Sequence, residues 1–80
     1  MEDLTTFKTY LRKSNLSENT IRSYMWTVNF FNAHYDGATK DNLLAYKGYL
    51  TEFFKPATVN LRIQAINRYL GYLHKDKLHL

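Results

Sequence analysis

Between residues 59 and 73, Val59, Ile63, Ile66, Leu70 and Leu73 recur at a spacing of 4, 3, 4, 3. A strand puts alternate residues on one face and cannot gather these five, whereas 3.6 residues per turn lines them up as one stripe. The same period runs through the chain. Leu4, Phe7 and Leu11 predict a first helix over about residues 3 to 13, ending at Ser14-Asn15. A second helix starts at a Ser17 cap with Glu18 in its first turn, carries Ile21, Tyr24, Val28, Phe31 and Tyr35, and stops before the turn pair Asp36-Gly37. A third takes Thr39 as its cap and Asp41 in its first turn. Its inward stripe is Leu43, Tyr46, Leu50 and either Phe53 or Phe54, and Gly48 marks a close approach or a mild weakening. The fourth opens at Lys55-Pro56, where a missing N–H costs nothing. Strand patterns are absent and the connections are short, so the expected fold is all-α, a compact four-helix bundle.

Eighty residues suffice for one domain over 1–80, near the lower limit for a core without staples. With no cysteine, disulfides and thiolate metal sites are excluded, and packing must come from the 45% of residues that are hydrophobic. No run approaches the ~20 apolar residues of a membrane span. The opening "MEDLTTFK" has acids and no apolar segment, unlike a signal peptide, so a cytoplasmic location and no membrane partner are expected.

Charge is uneven. Six Lys/Arg and six Asp/Glu cancel over residues 1 to 54, so the net +4 resides in residues 55 to 80, where Lys55, Arg62, Arg68, Lys75 and Lys77 face Asp76 alone. Such a segment is either a solvated face or the footprint of a polyanion. The helical wheel puts Arg22, Ser23, Trp26 and Asn29 outside the second helix's seam. On the fourth helix, Thr58, Arg62, Ala65 and Tyr69 lie along one flank, with Leu61, Gln64 and Arg68 further round. Arg62, so placed, is expected to contribute little to stability. Small and hydroxyl residues beside arginine allow a helix close to a phosphodiester backbone, where hydroxyls and N–H groups bind phosphate and Arg or Gln reach base edges. Thr20 and Thr58 fit that chemistry, and equally fit helix capping. Trp26 calls for a cover, either a neighbouring helix or a ligand.

Catalytic chemistry finds no support. His34, His74 and His79 lack zinc-ligand spacing, no nucleophile–base–orienter set assembles, and no glycine-rich phosphate loop is present. No catalytic residue, metal or cofactor is expected.

"LSENTIRSY", residues 16 to 24, with Phe31 seven residues after Tyr24, followed by "TVNLRIQAINRYLGYL", resembles the N-terminal core-binding (SAM-like) domain of tyrosine recombinases, the phage-integrase family. The matching positions are Ser17, Thr20, Ile21 and Tyr24, then Thr58, Val59, Asn60, Arg62, Ile63, Ala65, Ile66 and Tyr69, in order over almost the whole chain. The resemblance implies a four-helix domain that, with a separate catalytic domain absent here, closes a C-shaped clamp on duplex DNA at a recombination site. In such a clamp the second and fourth helices face the major groove. It implies DNA contacts by Asn19, Thr20, Arg22, Ser23 and Trp26 from the second helix, and by Thr58, Leu61, Arg62 and Ala65 from the fourth. Other recombinase protomers would be partners on DNA. The family's tyrosine nucleophile and its arginines, lysine and histidines belong to the catalytic domain. The terminal "HKDKLHL" falls about where a linker to that domain would begin, so the chain reads as a fragment and not an enzyme by itself.

Two other readings compete. One is a protein-interaction domain docking through Trp26, Leu61 and Tyr72. The other is a free-standing helix-turn-helix regulator, whose turn and recognition-helix pairing the sequence does not display.

Overall fold

A computed structural model describes residues 4–73. They form an all-α four-helix bundle: α1 (Thr5–Lys13), α2 (Glu18–His34), α3 (Lys40–Phe53) and α4 (Pro56–Tyr72).

Each boundary has a local cause. α1 ends with Arg12 and Lys13 against the negative end of its dipole, and Asn15 leaves it at φ 62°, a left-handed conformation that asparagine tolerates. The Ser17 hydroxyl accepts the Thr20 N–H (3.2 Å) to cap α2. Thr39 does the same for the Asn42 N–H (3.2 Å) at α3. Asn42 then donates its side-chain amide to the carbonyls of Asp36 (3.0 Å) and Gly37 (2.9 Å), fixing a turn in which Gly37 takes φ 90°. α4 starts at Lys55 with Pro56 in its first turn and has no side-chain cap.

The core is two clusters sharing α4. Leu4, Phe7, Leu11, Ile21, Tyr24 and Val28 enclose Ala65 and Tyr69. Phe31, Leu43, Tyr46 and Leu50 enclose Ile66 and Leu70, with Val59 and Ile63 packed at the margin. Consecutive residues of α4 therefore serve opposite halves of the bundle. This corrects the flank assigned from the wheel. Ala65, expected to face DNA, is only 1% exposed, and Tyr69 is equally buried. A helix packed on both sides needs a stripe wider than one seam, and positions 65 and 69 supply the additional arc. Leu73, last in the seam, packs on the α1–α2 cluster instead of with Ile66 and Leu70.

Aromatic rings fill both halves. Phe7 meets Tyr69 edge-on at 5.1 Å, and Phe31 meets Tyr46 in the same way at 5.4 Å. Of the two phenylalanines closing α3, Phe54 turns inward. As the helix's extended C-cap it swings back against Tyr49, while Phe53 remains exposed. Gly48 makes no close approach: a Cβ there would meet nothing within 4 Å. Among the described residues no helix is long and apolar enough to cross a membrane.

Candidate nucleic-acid interface

Asn19, Arg22, Ser23 and Trp26 lie at i, i+3, i+4 and i+7 on α2, one helical stripe facing away from the core. Arg62 crosses from α4 and closes this stripe into a shallow, open groove of about 360 Å³. Four of the residues expected on α2 and one from α4 thus converge.

Arg62 is fixed from two directions. Its guanidinium carbon sits 4.3 Å from the Trp26 ring centroid, within cation–π range. Its Nη1 donates to the Thr27 hydroxyl at 3.0 Å. Thr27 is fully buried, and its hydroxyl donates in turn to the Ser23 carbonyl at 2.9 Å, so the hydroxyl is used as both donor and acceptor. Arg62 Nε is buried without a hydrogen-bond partner. The charge is felt deeper still. Burial pushes the Tyr46 phenol up to about 12, and the Arg62 charge opposes that shift. Arg62 is therefore half-buried and structural as well as charged, and the expectation that its loss would leave stability untouched does not hold.

The groove is cationic without a counter-charge. The one ion pair among the described residues joins Arg12 to Glu18 at 3.8 Å, outside the groove. Arg22, exposed on the outer wall, and Arg62 on the inner wall have no acidic partner there. Asn19 and Ser23 add neutral hydrogen-bonding groups to the same wall. Two arginines beside amide and hydroxyl groups suit a phosphodiester, since the arginines bring charge and forked N–H donors and the neutral groups bring short hydrogen bonds.

The remaining expected residues lie elsewhere. Thr20 belongs to the α2 cap, its N–H and hydroxyl both bonded to Ser17 (3.2 and 2.9 Å). Thr58 is half-buried in the first turn of α4 and caps nothing, so the two helix starts are not equivalent. Leu61 is exposed beside Arg62 in sequence but does not line the groove. Ala65 is in the core and cannot reach a ligand. Thr27, absent from the sequence expectations, is the anchor they lacked. A threonine three residues after Tyr24 and next to Val28 sits within the seam itself, and a buried hydroxyl requires a partner.

A second cavity of about 260 Å³ is lined by Phe30, His34, Tyr35 and Tyr49. Its rings stack on one another, Phe30 on His34 at 4.1 Å and on Tyr49 at 5.9 Å. His34 Nδ1 lies 3.0 Å from the Phe30 carbonyl, and no acid or basic chain end lines this cavity. Tyr72 is committed to α1, with its hydroxyl 2.6 Å from that of Thr6 and its ring against Phe7, so it does not join Trp26 in a docking patch. No group of three His, Asp or Glu able to hold a metal ion occurs among the described residues, and His74 and His79 lie outside them.

The chain matches no protein-family model, and no curated protein or solved structure is significantly similar to it.

Proposed function

We propose that this chain is a duplex-DNA-binding module, the core-binding domain of a tyrosine recombinase, in which α2 and α4 grip the DNA at the recombination core site. The observation that carries the reading is the convergence of Arg22 and Arg62, neither with an acidic partner among the described residues, on one open groove beside Asn19 and Ser23. These are also helices and residues that the recombinase resemblance implicates. In this role Arg22, on the outer wall, approaches the DNA backbone first, and Asn19 and Ser23 hydrogen-bond to phosphate or sugar oxygens. Breaking and rejoining of DNA belong to a catalytic domain of the parent protein, and further protomers assemble on the same DNA.

Few cations act here, so the isolated chain is expected to bind duplex within the ~10⁻⁴ to 10⁻⁶ M range of non-specific contacts. A heteronuclear NMR titration with a short duplex tests the proposal. Amides of residues 19, 22, 23, 26 and 62 should move together and recover as salt is raised. Shifts confined to α1 and α3, or binding indifferent to salt, would replace this reading with an apolar docking domain.

A further inference from the structure

The groove holds its two arginines in different ways, and the difference points to a device. Arg22 is exposed, and neither an acid nor an aromatic ring restrains it among the described residues. Arg62 has one face against Trp26 and one edge bonded to Thr27, which is itself locked to the Ser23 carbonyl. A free arginine that meets a phosphate must give up several rotatable bonds, and that loss weakens binding; one already ordered in the folded chain avoids it. Trp26 is half exposed, an unfavourable place for an indole in a chain with a single tryptophan, unless the ring has work at the surface.

Resting on the DNA-binding reading above, we propose that Trp26 and Thr27 are positioning residues: they form a cradle that holds the Arg62 guanidinium ready for one backbone phosphodiester, which it takes jointly with Arg22. The ligand group is the phosphate and not a base edge. A guanidinium held against Trp26 and tied to α2 cannot extend as a free side chain would to read an edge. The preordered contact is therefore independent of sequence, and any sequence preference arises from other residues.

The test uses the full chain, two short duplexes of unrelated sequence, and Kd measured across a salt series, with melting curves confirming that each variant is folded. Arg62→Gln should weaken both duplexes equally and reduce the log–log salt slope by about 0.9, the loss of one phosphate contact. Trp26→Leu removes the ring but leaves the cation. It should weaken binding by about three- to tenfold while keeping the slope, because Arg62 still reaches the phosphate after losing its preordering. Trp26→Phe, which keeps an aromatic face, should stay within about twofold of the parent chain. In the Arg62→Gln background, Trp26→Leu should have no further effect.

A readout without DNA accompanies these. In the parent chain the Arg62 side-chain protons should be shifted upfield by the Trp26 ring current, and Trp26→Leu should abolish that shift. Averaged, unshifted Arg62 resonances in the parent chain would overturn the cradle outright. So would a Trp26→Leu loss that persists undiminished beside Arg62→Gln, which would mean the indole itself touches DNA. An Arg62 effect confined to one duplex would assign it to a base edge and equally refute the proposal. If Arg22→Ala weakens binding while Trp26→Leu does not, the DNA reading stands and the cradle alone falls. If neither Arg22→Ala nor Arg62→Gln alters duplex binding, the DNA reading falls and takes the cradle with it.

Discussion

Replacing Thr27 by valine swaps a hydroxyl for a methyl of nearly the same shape, at a site with no solvent exposure. Two hydrogen bonds disappear. The bond donated to the Ser23 carbonyl contributes little, because that oxygen already accepts the helical N–H four residues on. The bond received from Arg62 Nη1 involves a charged donor, and such bonds contribute about 1.5–3 kcal/mol. The added methyl gives back roughly 0.8 kcal/mol of apolar burial. The net expectation is a loss of about 1–2 kcal/mol, which for a domain of this size lowers Tm by roughly 4–16 °C. Urea unfolding followed by far-ultraviolet circular dichroism measures it without relying on Trp26 fluorescence, which the substitution itself perturbs. The cycle with Arg62→Gln isolates the pair. If the hydroxyl acts through Arg62, the double variant should be about 1 kcal/mol more stable than the sum of the single losses predicts. Additivity within ~0.3 kcal/mol would refute the argument and leave Thr27 as a helix residue that merely happens to lie near a cation.

Three other outcomes follow from the packing. Tyr46 should make the fold sensitive to alkali. Its folded pKa is raised to about 12 by burial, so from pH ~10, where the unfolded phenol ionises, stability should fall by about 2–3 kcal/mol up to pH ~12 and level off beyond. Tyr46→Phe should remove that component of the decline, as read from urea midpoints at pH 8 to 12. Ile66→Ala, in a fully buried position of α4, should lose about 2–5 kcal/mol through the cavity it leaves, a large fraction of the stability of a domain this small, read as a lowered urea midpoint. Gly48→Ala should stabilise by roughly 0.5–1 kcal/mol in thermal melts, because the site is mid-helix and nothing stands where the methyl would go.

Local chemistry is legible in the sequence alone. Ser17 and Thr39 stand at the two capped helix starts, and Asp36-Gly37 breaks the chain between α2 and α3. Leu43, Tyr46 and Leu50 were inward by their spacing alone, and they are buried. These features depend on interactions within a few residues, which order along the chain specifies. The outer stripe of α2 was equally readable, since Asn19, Arg22, Ser23 and Trp26 share one side of one helix whatever else the chain does. Where two helices meet, that logic stopped. A helical wheel gives angles around an axis but not how many neighbours the axis has. α4 has neighbours on two sides, so Ala65 and Tyr69 are buried and the flank drawn through them reaches solvent only at Thr58 and Arg62. Only the tertiary structure paired residue 62 with residues 26 and 27, some 35 positions away, and thereby turned a surface cation into a half-buried one whose hydroxyl partner lies in the core. Periodicity carries no term for a contact between side chains so far apart in sequence. The placement of Arg62 follows from how α2 and α4 cross, and that crossing is set by the volumes packed between them.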